Sequence, residues 1–123
     1  MAAASEGARA AGGLVVGLLP GADARSSQPN AHLDVALFTG LGQARNVVLT
    51  LSAHAVVALG GGWGTLSEIA LALKQRVPVV VLESWELTRP DGLVDPLLRR
   101  AISPADAVAT AIRLGTLRRE GRT

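Results

Sequence analysis

The 123-residue chain contains no cysteine. Disulfides and thiolate metal sites are therefore excluded, which fits a reducing compartment. Tyrosine is also missing, and aromatic residues make up 2 % of the chain. So small a supply of rings argues against a stacking platform for single-stranded nucleic acid. Charge of one sign is scarce too, with a formal net charge of +2. The pI of about 10.4 does not contradict this. With no Cys or Tyr and a single Lys, little titrates between neutral pH and the arginines, so a small positive excess lifts the pI. The apolar runs are all far too short to cross a bilayer. The start, Met1-Ala2-Ala3-Ala4-Ser5-Glu6, lacks the basic head and apolar centre of a signal peptide. The expectation is a cytoplasmic protein that binds neither nucleic acid nor membrane.

Apolar residues make up 49 % of the chain, enough for a core in one domain spanning residues 1–123. The apolar runs Leu14–Leu19, Ala55–Leu59 and Val77–Leu82 read as buried parallel strands, with a shorter strand over Asp34–Phe38. Helices are expected over Ala2–Ala11, closed by Gly12-Gly13, and over Gln43–Ser52, with Val47, Val48 and Leu51 inward. Another should follow Gly64. A last one, about 104–119, has Ser103 as N-cap and Pro104 in its first turn. Its basic end, with Arg113, Arg118, Arg119 and Arg122, reads as a solvated helix terminus. Residues 83–96 read as irregular. Strands alternating with helices give an α/β fold with a mostly parallel sheet.

The chemistry concentrates at Gly60-Gly61-Gly62-Trp63-Gly64-Thr65-Leu66-Ser67-Glu68, between a strand and a helix. Glycines there expose backbone N–H groups, and the helix dipole adds positive potential, so a phosphate is the natural guest. Thr65 and Glu68 add a hydroxyl and a carboxylate. Thr65-Leu66-Ser67-Glu68 also fits a capping box, which would make Glu68 structural. Thr39-Gly40-Leu41-Gly42 is a second glycine turn, followed by Arg45 at a helix start, a poor place for a cation without an anion to meet. Trp63 reads equally as a stacking surface for a base or pterin ring and as a contact to another subunit. His54 reads as structural, while His32 and Asp23 lie in a polar loop within possible reach of a ligand. No metal-ligand spacing and no Ser-His-Asp set is present.

Thr39–Asn46 together with Ala58–Ala70 resembles the Lonely-Guy superfamily, which includes proteins once labelled lysine decarboxylases. Ala10–Gly21 is similar to its branch of molybdenum-cofactor-carrier-like Rossmann proteins. The phosphoribohydrolase signature Pro-Gly-Gly-x-Gly-Thr-x-x-Glu falls on Gly60–Glu68, with Gly60 in place of Pro. Arg-Lys-x-x-Met falls on Arg45–Leu49, with Asn46 and Leu49 as departures. The resemblance implies a Rossmann-like three-layer fold with Arg45 and Glu68 as a catalytic pair. Gly60, Gly61, Gly62, Trp63, Gly64, Thr65, Gly40 and Gly42 would surround the ligand. It also implies homodimers or larger assemblies. The departures favour binding of a phosphorylated ligand, a nucleoside monophosphate or molybdopterin cofactor, over cleavage of nucleoside 5′-monophosphates. The family begins with a further β-α unit, so on the order of forty residues are expected to be missing from this sequence.

Overall fold

The computed structural model describes residues 1–121; Thr123, and Arg122 of the expected basic tail, lie outside the described residues. The chain is a mixed α/β protein in which every strand pairing among the described residues is parallel. It forms two compact units, one over Met1–Arg45 and one from Asn46 on.

The first unit holds α1 (Ala2–Ala10), β1 (Val16–Leu19) and β2 (Val35–Phe38), with β1 paired to β2 from Val16↔Val35 to Leu19↔Phe38. Gly12 closes α1 at φ +84, and the Gly12 and Gly13 amides donate back to Arg9 and Ala8. This is the expected glycine stop. Asp34 ties the unit together: its carboxylate accepts from the Val15 amide at 2.7 Å and meets Arg9 at 3.3 Å.

The second unit is a three-layer sandwich. Its sheet runs β3 (Val56–Gly60), β4 (Val79–Ser84), β5 (Leu98–Arg100) in that order. Side chains alternate across a sheet. Ala58, Val79 and Val81 therefore pack on Ile69 and Ala72 of α3 (Trp63–Lys74), while Val80 faces the other way, onto Ala107 and Leu114 of α4 (Pro104–Arg119). α4 begins as its sequence dictates, with Ser103 Oγ accepting from the Asp106 amide at 3.1 Å and Pro at the first turn.

Three expectations need correction. The inner face of α2 (Arg45–Leu51) is not Val47, Val48 and Leu51, which are exposed. Asn46 and Thr50 are buried instead, at 3 % and 0 % exposure, because they find polar partners. Asn46 Nδ2 donates to Ser67 Oγ at 3.0 Å, and Thr50 Oγ1 lies 3.1 Å from Gln75 Oε1. Second, Thr65 is not an N-cap. Gly62 caps α3, without a side-chain bond, so Thr65 is the third helical residue and Glu68 the sixth, and no capping box exists. Third, the stretch expected to be irregular from residue 83 starts later, because β4 runs on to Ser84; a short strand, β5, lies beyond that stretch.

Candidate functional site

In an open parallel sheet, ligands bind beyond the carboxyl ends of the strands. In the second unit that edge is built from the end of β3, the loop Gly60-Gly61-Gly62, the start of α3 and the end of β4. Gly60 turns the chain at φ +80, a conformation that other residues resist. A Cβ placed on Gly60, Gly61, Gly62 or Gly64 would meet nothing within 4 Å. The backbone is thus bare toward open space. The first bond of α3 is donated by Leu66 to the Gly62 carbonyl at 3.1 Å. The N–H groups of Trp63, Gly64 and Thr65 lie ahead of it, uncapped by any side chain, and the first turn carries no acidic residue. An anion there would meet amides and the positive end of a 12-residue helix.

The first turn is pinned from behind. Ser67 Oγ donates to the Gly64 carbonyl at 2.8 Å and accepts from the buried Asn46 amide. From the other side, the end of β4 is stitched to the loop. Glu83 is an extra residue at φ +49, so Gly60 pairs with Ser84 and not with Glu83. Ser84 Oγ donates to the Gly60 carbonyl at 2.5 Å, and Trp85 Nε1 donates to the Gly62 carbonyl at 3.1 Å. Trp63 rests against Trp85, ring centroids 5.2 Å apart. Sequence reasoning missed Ser84 and Trp85. The available signal was that one of only two tryptophans stands at the end of the next parallel strand, hence on the same edge.

Glu68 is half-buried, one turn further along α3. Among the described residues, no hydrogen bond or ion pair reaches its carboxylate, and it caps nothing. Arg45, Gly40 and Gly42 belong to the first unit. There Arg45 Nη1 donates to the Leu18 carbonyl at 2.6 Å. Gly40 and Gly42 have φ of +64 and +56, and their amides donate to the Gly21 and Pro20 carbonyls at 3.0 Å. Those two amides therefore shape the turn. Asp23 likewise accepts from the Arg25 and Ser26 amides within its own loop, and these bonds, Ser26's first, hold its carboxyl below the usual range. His32 lies 3.9 Å from Glu6.

An open cleft of ≈ 370 Å³ lies at the opposite edge, lined by His54, Ala111, Ile112, Gly115 and Arg119 among others. It sits at the amino end of β3, the edge where open parallel sheets do not place ligands. We place the candidate site at the glycine loop. Among the described residues, no three His, Cys, Asp or Glu side chains gather as a metal site, and no helix is long and apolar enough to cross a membrane.

The model of the SLOG cluster4 family matches residues 1–113. The chain belongs to that family. It is 42 % identical over 93 residues to an uncharacterized protein of Archaeoglobus fulgidus, a match covering 71 % of this chain and 60 % of that one. The chain thus spans less than two thirds of that relative. Among solved structures it is similar to the molybdenum cofactor binding protein of Rippkaea orientalis, with TM-score 0.76 and 38 % identity over 90 % of this chain and 68 % of that chain. The molybdenum cofactor carrier protein of Chlamydomonas reinhardtii gives TM-score 0.73 and 38 % identity at the same coverages. The SLOG cluster4 chain therefore has a Rossmann-like fold of the carrier type, as the resemblance implied.

Proposed function

We propose that this SLOG cluster4 chain binds a phosphorylated heterocyclic ligand by its phosphate, with the molybdenum cofactor as the foremost candidate cargo. One observation carries this reading: three uncapped amides at the start of α3 behind a loop whose backbone is bare. The likeness to two proteins named for the molybdenum cofactor supports the choice of cargo. The phosphate accepts from the amides of residues 63–65, and Thr65 Oγ1 is the nearest hydroxyl in sequence to add a bond. The chain's own residues do no more than bind and orient.

Calorimetry tests the reading, with inorganic phosphate, ribose 5-phosphate, GMP and the cofactor itself as titrants. Binding by wild type and its loss in Gly62→Val is expected. A Cβ at Gly62 meets nothing within 4 Å beyond its chain neighbours, and the extended backbone there suits a β-branched residue, so the variant is expected to fold while its side chain fills the anion's approach. Binding that survives Gly62→Val would overturn the assignment of the phosphate to this loop.

A second reading is favoured by Glu68, which neither caps α3 nor has a partner among the described residues. A carboxylate so placed suits hydrolysis of a nucleoside 5′-monophosphate to base and ribose 5-phosphate, stabilising an oxocarbenium-like ribose or activating water. Product analysis on a panel of such nucleotides tests it. Release by wild type, lost in Glu68→Gln and in Arg45→Ala, would establish hydrolysis; equal release by Glu68→Gln would refute it. We further propose self-association through the exposed apolar face of α2, with Leu51 at 60 % exposure. A monomeric mass by sedimentation would exclude it.

A further inference from the structure

Both tryptophans of this aromatic-poor chain stand beside the glycine loop. Their situations differ. Trp85 is held twice: its Nε1–H is spent on the Gly62 carbonyl, and its ring packs on the core that contains Ile69 and Val79. Trp63 is 78 % exposed. Its ring lies 5.2 Å from that of Trp85, tilted by 36°, a favourable aromatic arrangement. The extra residue at Glu83 advances β4 so that Ser84 meets Gly60, which brings Trp85 against the loop. The result is a large ring held by a fixed neighbour and left open to water. Trp63 is the first residue of α3, and helical side chains lean toward the helix N-terminus. That is the side from which an anion reaches the bare amides.

We propose that Trp63, backed by Trp85, is the stacking platform for the flat fused ring of the ligand, one sugar or side chain away from the phosphate. The inference rests on the phosphate-loop reading above. It restricts the ligand class to phosphomonoesters of fused nitrogen heterocycles, purine or pterin, and disfavours sugar phosphates without an aromatic ring. Trp85 is a positioning residue: it holds the Trp63 ring still, so that little freedom is lost when a second ring stacks on it.

The chain carries its own reporter, because its tryptophan fluorescence comes from this pair alone. Wild type, Trp63→Leu and Trp63→Phe are titrated with GMP, a pterin phosphomonoester, guanosine, ribose 5-phosphate and inorganic phosphate. Fluorescence is read in wild type and calorimetry in all three. The two ring phosphates should shift the wild-type emission and bind more tightly than ribose 5-phosphate. Trp63→Leu should weaken them about 5- to 150-fold, the range for a base stacked on an aromatic side chain. Trp63→Phe should fall between, and ribose 5-phosphate should bind all three proteins alike. Equal affinities for phosphates with and without an aromatic ring, or aromatic-ring phosphates unaffected by Trp63→Leu, would overturn the platform while leaving the phosphate loop standing. Guanosine binding that depends on Trp63, without phosphate binding, would support the platform and refute the loop. Silence toward all five compounds would refute both.

Discussion

Replacing Asn46 by Ala removes a side chain only 3 % exposed, whose amide donates to Ser67. The Ser67 hydroxyl keeps its own bond to the Gly64 carbonyl but loses the donor behind it. A neutral hydrogen bond is worth about 0.5–1.5 kcal/mol net, and a desolvated group left without its partner costs about 1–3 kcal/mol. Ser67 is only half-buried, so water recovers part of that second term. A loss of about 2 kcal/mol is expected, or a Tm lower by about 5–10 °C for a chain of this size. The assay is chemical denaturation of wild type, Asn46→Ala, Ser67→Ala and the double variant. If the two side chains act through one bond, the double variant should cost less than the sum of the singles by about 0.5–1.5 kcal/mol. The relay ends on the first turn of α3, so Asn46→Ala should also weaken phosphate binding, although Asn46 touches no ligand. Strict additivity of the two substitutions, or an Asn46→Ala variant as stable as wild type, would refute the reasoning.

Gly60→Ala should cost about 1–2 kcal/mol by denaturation, since an L-residue is strained at φ +80, whereas Gly62→Ala, at φ −69 with open space around it, should leave stability nearly unchanged. Arg76 closes α3 at φ +62 with an exposed side chain, so Arg76→Gly should raise stability by about 0.5–1 kcal/mol in the same assay; a loss would show that the arginine side chain itself holds the terminus. The Asp23 carboxyl is held low first by the Ser26 amide and that of Asp91 first by the Leu93 amide. A carboxyl lowered on folding adds stability above its unfolded pKa of about 4 and loses it as pH falls through the folded value. Melts should therefore hold steady above about pH 5 and decline below about pH 4, and Asp23→Asn with Asp91→Asn should flatten that decline.

Much of the fold was readable because its signals are local. Ser103-Pro104 announces α4, Gly12-Gly13 ends α1, and the valine run at 77–82 is a central strand displaced by two residues at each end, to Val79–Ser84. What escaped depends on partners distant in sequence. Asn46 and Thr50 look like surface residues until Ser67 and Gln75, 21 and 25 positions away, satisfy them; the apolar pattern of α2 then points outward. β5 is two arginines and one buried leucine, too short and too polar for any periodicity. The motif Thr-x-x-Glu matched a capping box because sequence does not reveal that Gly62 starts the helix three residues before Thr65. The glycine loop itself was plain. Its wall was not, since Trp85 reaches it only through a bulge at Glu83.

The placement of Glu68 bears on both functional readings. It follows Trp63 by five residues, so its Cα lies about 7–8 Å behind the start of α3. A helical side chain leans over the residues three and four positions before it. For Glu68 these are Thr65 and Gly64, and Gly64 presents no side chain, with empty space where its Cβ would be. A glycine there is costly within a helix, by about 1 kcal/mol against alanine. It leaves open the track along which the carboxylate can extend toward the helix end. The Cα of the acid is thus set back by roughly a turn from the amides at which we propose the phosphate binds. In a carrier, a carboxylate at that depth would select against a second phosphate and accept a hydrogen bond from a hydroxyl or amino group of the cargo. In a hydrolase, the same carboxylate would act on the ribose. The geometry of one glycine and one glutamate therefore serves either chemistry, and turnover in Glu68→Gln is the property in which the two differ.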